Sequence, residues 1–300
     1  MARHPYQILD VFTDTVLEGN PLAIVYECDD LDAGRMQRIA AEFNLSETVF
    51  AMRPKNPAHL AAIRIFTPNF EMPFAGHPTV GSAVALARRG GRQGTSVLVL
   101  EEKIGDVRCA VKLGGDADFA EFDLPELSAP LALTAAAEMT AEALGLLPAD
   151  LGFENHVVSA WSAGVPYVCV PVSSAAALAK ASLDPRRWRE IAPDRGNGVP
   201  ASAYVYVRTD GDAAFRARMF TGGAKSYEDP ATGSALAAFS GAIVAFDEPV
   251  DGPWTGVIEQ GFEMGRPSRL RLEMEIAGGR TRAARIGGNV VLAAEGTLFA

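Results

Sequence analysis

The sequence predicts an α+β protein of two similar halves, each a twisted, mostly antiparallel or mixed sheet wrapped around one central helix. Three observations predict this. The chain repeats itself once, in order. Each copy contains a helix-like run with Gly, Ser and Ala on every side, as suits a helix enclosed by sheet. The strand-like runs alternate apolar with polar or small residues and lack the long crossover helices that a fully parallel sheet requires.

The repeat rests on four matches in the same order. Pro21 in "NPLAIV" aligns with Pro166 in "VPYVCV", 145 residues on, and Ser46 in "LSETVFA" aligns with Ser202 in "ASAYVYV", 156 on. "RIFTP" from Arg64 matches "RMFTG" from Arg218 at 154, and "HPTVGSAVAL" from His77 matches "DPATGSALAA" from Asp229 at 152. Each match is weak alone, but four in one order describe two related halves. The expected boundaries are 1–127 for the first half and 128–284 for the second. Residues 285–300 are read as closing strands that cross back to the first half.

Within the repeat the elements follow from pattern. "NPLAIV" is strand-like, and "DAGRMQRIAAEF" places its apolar residues at helical spacing. "LSETVFA" and "RIFTP" are read as the next two strands, and "SVLVLEE" and "DVRCAVKL" alternate as half-buried strands do. "HPTVGSAVALARR" and "DPATGSALAAFSGAIVAF" are predicted to start at Pro78 and Pro230, just inside His77 and Asp229 as caps.

Composition narrows the function. Over 300 residues, 48% hydrophobic content supports a sizeable core, while a net charge of −10 without Lys/Arg runs argues against a nucleic-acid partner. Three widely spaced cysteines (28, 109 and 169) suit reduced thiols in the cytoplasm better than a disulfide framework or a zinc cluster. No signal peptide is evident, and the most apolar window, 157–179, is broken by Gly164, Pro166 and Pro171, so no membrane span is expected. Histidines 4, 59, 77 and 156 lack metal-ligand spacing, "GGAKS" is not a phosphate loop, and no serine stands in a nucleophile elbow. Neither metal nor other cofactor is therefore expected.

What remains is a pair of helix starts and one carboxylate. Helix N-termini present unpaired N–H groups and a partial positive charge, which suit a small carboxylated ligand. Two such starts facing each other across a cleft would set His77 and Asp229 on opposite walls, with Ser82 and Ser234 one turn further in. The halves differ at Glu47, whose aligned position in the second half is Ala203. A carboxylate between Leu45 and Val49 in an apolar strand suggests a single general base. Paired cysteines, as a two-base racemase would be expected to show, are absent from the duplicated turns.

"DVFTDTVLEGNPLAIV", "NLSETVF", "RIFTPNFEMPFAGHPTVGSA", "EDPATGSA" and the closing "GRPSRLRL" and "IGGNVVLAAEGTL" resemble the PhzF-like phenazine-biosynthesis family along essentially the whole chain. The resemblance implies two domains of diaminopimelate epimerase-like fold, a cofactor-free isomerase and a homodimer. It places the family's proton-shuttling glutamate on Glu47 and its supporting histidine and aspartate on His77 and Asp229. It assigns Gly76, Gly233 and Ser234 to a substrate carboxylate, with Asn20 and Ser46 as further pocket residues.

The expected function is therefore cofactor-independent movement of a proton and double bond in a small carboxylated substrate, possibly cyclic and dihydro-hydroxyanthranilate-like. Two alternatives stand beside it. One is a two-base epimerase or racemase of a small amino or hydroxy acid, and the other a non-catalytic small-molecule binding protein.

Overall fold

The computed structural model describes residues 2–196 and 198–300. It divides into two compact units. One runs through Asp123 and resumes over Gly287–Ala300, and the other spans Leu124–Ile286.

The first unit contains β1 (Arg3–Val11), β2 (Asn20–Val25), α1 (Ala33–Phe43), β3 (Glu47–Met52), β4 (Ala61–Phe66), β5 (Glu71–Met72), α2 (Gly76–Arg89), β6 (Gly94–Glu102), β7 (Gly105–Leu113) and β8 (Asp118–Asp123). The second contains β9 (Ala129–Leu131), α3 (Ala137–Ala143), β10 (Ser159–Ser162), β11 (Pro166–Pro171), α4 (Ala175–Lys180) and α5 (Pro185–Ile191). There follow β12 (Ser202–Arg208), β13 (Phe215–Phe220), β14 (Glu228–Asp229), α6 (Gly233–Asp247), β15 (Gly252–Gln260) and β16 (Ser268–Ile276). The last strand, β17 (Thr281–Phe299), begins in the second unit's segment and ends in the first.

Strand pairing is mixed in each unit. In the first unit β2–β3 and β4–β6 pair in parallel, while β1–β2, β3–β4, β4–β5, β6–β7 and β7–β8 are antiparallel. In the second, β11–β12 and β13–β15 are parallel, while β9–β10, β10–β11, β12–β13, β13–β14 and β15–β16 are antiparallel.

Local sequence explains these elements. Asp32 caps α1 by accepting from the Arg35 N–H at 2.7 Å, and Asn44 ends the helix in the left-handed conformation at φ 52°. Met36, Ile39 and Ala40, at helical spacing, are buried with Val25, Phe50 and Phe66, each large side chain contributing roughly 1.5–3 kcal/mol. In β7, Val107, Cys109, Val111 and Leu113 alternate inward as the pleat dictates.

Helix α2 is buried at every position from Gly76 to Ala85 and packs against β1, β2, β3, β6, β7 and β8. Its small residues permit this approach: a Cβ on Gly81 would come within 2.6 Å of Leu22 Cδ2 and 2.9 Å of Val11 Cγ2. Helix α6 is likewise buried from Ala235 to Ile243 and packs against β9, β10, β11 and β16. All three cysteines are free and buried, and burial pushes their thiol pKa values up.

The two helices do not start at Pro78 and Pro230. Ala75 is the N-cap of α2, its carbonyl accepting from the Thr79 N–H at 3.2 Å, so His77 and Pro78 lie inside the first turn. Proline fits there because its missing N–H has no intrahelical partner to lose. In the other unit Asp229 is held in the β13–β14 ladder opposite Met219, and α6 begins only at Gly233, with Thr232 as cap. Neither His77 nor Asp229 is therefore a helix cap.

Among the described residues, no helix is long and apolar enough to cross a membrane.

Candidate functional site

Glu47 opens β3, and its side chain keeps 15% of its surface exposed. The β2–β3 ladder sets Leu22 opposite Glu47, so Asn20, fully buried at the start of β2, lies two residues upstream on the neighbouring strand. Ser46, directly before Glu47, is half-buried.

Gly19 shapes the turn into β2. Its φ is +66°, and a Cβ would stand 2.4 Å from the Val11 carbonyl oxygen, so the "EGNP" turn needs glycine.

His77, 5% exposed, extends from the first turn of α2 and brings Nε2 to 3.4 Å from Glu47 Oε2. The contact lacks hydrogen-bond geometry, and Nε2 is buried with no hydrogen-bond partner. Burial lowers the His77 pKa to about 3, so at neutral pH the ring is uncharged and no ion pair exists. A carboxylate beside a neutral imidazole can take up a proton and return it, with the ring free to donate or accept through Nε2. Ser82, one turn further along α2, is fully buried with Oγ unpartnered.

The approach to α2 is braced. Arg64 donates to Glu71 at 2.7 Å, joining β4 to β5, and its guanidinium lies 5.1 Å above the Phe66 ring. In the second unit Arg218 donates to both oxygens of Glu228, at 2.8 and 2.7 Å, and lies 4.8 Å above Phe220. Each bidentate or close Arg–Glu pair fixes the short strand that leads to a helix start.

Beyond Glu228, Asp229 is 7% exposed and accepts from the Thr232 hydroxyl. Fully buried Gln260, ending β15, donates through Nε2 to the Asp229 carbonyl at 2.7 Å and to Thr232 Oγ1 at 3.1 Å. The Thr232 N–H donates back to Gln260 Oε1 at 3.3 Å. Gly233 and Ser234 open α6, and Ser234 Oγ is 2.7 Å from the Tyr167 hydroxyl.

The structure thus gathers Glu47, His77, Gly76, Ser46 and Asn20 in the first unit, and Asp229, Gly233 and Ser234 in the second. Gln260, Tyr167 and the two Arg–Glu pairs are absent from the sequence reading. The trace of Gln260 in the sequence is the likeness of "LVLEE" to "GVIEQ", which ends the two strands that follow the duplicated helices.

One group of potential metal ligands occurs among the described residues, Glu154, His156 and Asp247 in the second unit. A cation already stands there. Arg208 donates to Asp247 and, at 3.2 Å, to Glu154, and His156 Nε2 is 2.8 Å from Asp247 Oδ1. The cluster is an ion-paired side-chain network built around a guanidinium rather than a metal cage.

The chain resembles proteins of named activity along its full length. The family model for phenazine biosynthesis-like protein matches residues 9–296. An uncharacterized isomerase from Mesorhizobium japonicum is 55% identical, the match covering 100% of both chains. A trans-2,3-dihydro-3-hydroxyanthranilate isomerase from Pseudomonas aeruginosa is 35% identical, with 99% of each chain covered. The crystal structure of a Bacillus anthracis phenazine biosynthesis protein superposes with a TM-score of 0.89 over 100% of both chains at 24% identity. The mixed sheets and few helices are those of the diaminopimelate epimerase-like class. The chain belongs to the phenazine biosynthesis-like protein family and is an isomerase.

Proposed function

We propose that the protein moves a proton, and with it a double bond, within a small carboxylated ring such as trans-2,3-dihydro-3-hydroxyanthranilate, with Glu47 as the single acid–base group. The observation that carries this reading is the partly exposed Glu47 carboxylate 3.4 Å from the neutral Nε2 of His77. Glu47 takes a proton from one ring carbon as that C–H bond breaks. The electron pair shifts through the conjugated system, and the same proton forms a C–H bond at the far end. No electrons leave the substrate, so the step needs neither oxidant nor reductant.

The neutral imidazole suits this chemistry because it can stabilise either protonation state of Glu47 without becoming a charged partner. The N–H groups of Gly76 and His77, in the first turn of α2, are suited to a substrate carboxylate. Asp229 and Ser234 are assigned supporting and binding roles in the same reaction. The two units are read as halves of one duplicated ancestor, each a sheet around its buried helix.

The test is turnover of trans-2,3-dihydro-3-hydroxyanthranilate in deuterium oxide, followed by proton NMR. A one-base shuttle is expected to yield isomer that retains a substantial fraction of the substrate's own proton. Complete solvent labelling with inversion at a stereocentre would instead identify a two-base epimerase, and absence of turnover would remove this substrate.

A further inference from the structure

Glu102 ends β6 as Gln260 ends β15. In the first unit Ala61 pairs with Leu100 and Ala62 with Glu101, and in the second Phe215 pairs with Ile258, Arg216 with Glu259 and Ala217 with Gln260. These registers give Glu102 and Gln260 the same ladder position, beyond Glu101 and Glu259 respectively. Both reach back to the turn that starts the preceding buried helix, α2 for Glu102 and α6 for Gln260. Gln260 donates to Thr232 Oγ1 and to the Asp229 carbonyl. Glu102 Oε1 lies 2.8 Å from Thr79 Oγ1, which lies 2.8 Å from the Ala75 carbonyl oxygen at the N-cap of α2.

A threonine hydroxyl carries one hydrogen and cannot donate to both neighbours. If Glu102 were ionised, Thr79 would donate to it, leaving a buried carboxylate with one bond and with Oε2 unpartnered. If Glu102 is a neutral acid, it donates to Thr79, Thr79 donates to Ala75, and the chain of donors matches that from Gln260 through Thr232. We propose that Glu102 is a proton-bearing positioning residue for the turn that carries His77, doing with a carboxylic acid what Gln260 does with an amide.

The surroundings agree. Burial raises the Glu102 pKa to about 8, and no neighbouring charge offsets it. On α2, His77 stands two residues before Thr79 and is neutral through burial. On β7, Cys109 is a thiol that burial pushes up, so it brings no charge to Glu102. On β4, Arg64 is committed to Glu71, as is Lys103, the next residue in the chain. On β6 itself, Glu101 binds His59 and the N–H groups of Lys55 and Asn56. Among the described residues none gives Glu102 an ion pair.

The catalytic consequence rests on the function proposed above, so the first test avoids turnover. Wild type, Glu102→Gln and Glu102→Leu are melted between about pH 5 and pH 9 without ligand. The folded state holds the Glu102 proton more tightly than the unfolded chain, so stability is lost as pH rises from the ordinary carboxylate range towards about 8. The melting temperature of wild type is expected to fall by several degrees relative to Glu102→Gln over that window and to run parallel above it. A gap independent of pH would overturn the proposal.

The second readout is the His77 ring 15N signal at pH 7, expected to stay in place in Glu102→Gln and to shift in Glu102→Leu. An unmoved signal in a folded Leu variant, or equal shifts in both variants, would also overturn it. In the isomerase assay wild-type turnover is expected to decline as Glu102 loses its proton towards and beyond about pH 8; Glu102→Gln should retain activity within about threefold without that decline, while Glu102→Leu falls at least about tenfold. Should wild type itself not turn over the substrate, the function proposed above fails while the melts and the ring signal still judge Glu102.

Discussion

Nε2 of buried His77 stands 3.4 Å from Oε2 of Glu47 without a hydrogen bond between them, the ring neutral and the carboxylate partly open to solvent. In the function proposed above, this pair passes a proton to and from the substrate. An ion pair would have neutralised both groups.

Replacing Glu47 by Gln keeps the shape and removes the proton acceptor. The variant is expected to fold as wild type and to lose about 10²- to 10⁴-fold in turnover. Steady-state kinetics with a thermal melt as control checks this, and activity above roughly a tenth of wild type would remove Glu47 as the base.

His77 predicts an acid-labile fold. Its pKa is about 3 folded against 6.5 in the ordinary state, so the unfolded chain binds the proton more readily. The neutral-ring contribution is complete above about pH 6.5 and is lost as pH falls towards 3, amounting to a few kcal/mol at most. Denaturant unfolding at pH 7 and pH 4 should show wild type losing more stability on acidification than His77→Asn does. Equal losses would show that the ring is not held neutral.

The strands and the two buried helices were legible in the sequence because strand alternation and small-residue helical runs are local signals. Glu47, His77 and Asp229 were singled out through short motifs, and their roles remain proposals. The helix starts were misplaced because proline and a polar neighbour indicate a first turn only approximately. Ala75 takes the cap backbone without offering a side-chain bond, and the β14 ladder keeps Asp229 extended. The paired braces were hidden by a change in loop length, since Arg64 and Glu71 are 7 residues apart but Arg218 and Glu228 are 10 apart. Glu102 and Gln260 were hidden because their equivalence appears only in the ladder register, where a carboxylic acid and an amide occupy like positions.

Gly81→Val should destabilise the protein by roughly 1–3 kcal/mol or more. A Cβ already falls at 2.6 Å from Leu22 and 2.9 Å from Val11, and branching adds two carbons to a helix face with no room. Urea denaturation would read the loss, and an unchanged midpoint would contradict the close packing of α2 on β1 and β2.

Dialysis against a chelator should leave turnover intact. The acid–base step is assigned to Glu47, and the Glu154–His156–Asp247 group already holds the Arg208 guanidinium. Activity lost on dialysis and restored by a divalent ion would contradict a metal-independent step.

Gln260→Leu should separate the support of Asp229 from the bulk of the core. Leucine fills a similar volume, but the Asp229 carbonyl and the Thr232 N–H each lose the amide that now satisfies them. Both are buried with their residues, and leaving them unpaired costs about 1–3 kcal/mol each. Thr232 can still donate to Asp229, and the β13–β14 ladder still holds Asp229, but the amide bridge across the turn between them is gone. The variant is expected to melt at lower temperature and, in the isomerase assay, to lose turnover beyond what its folded fraction explains. Gln260→Glu sharpens the comparison. At acidic pH a neutral carboxylic acid can donate to the Asp229 carbonyl as the amide does. At alkaline pH its charge faces that carbonyl and the Asp229 carboxylate. Stability and turnover that decline together as pH rises in Gln260→Glu, but not in wild type over the same range, are the expected result. A pH-independent Gln260→Glu variant would show that the strand-end amide does not hold the Asp229 turn.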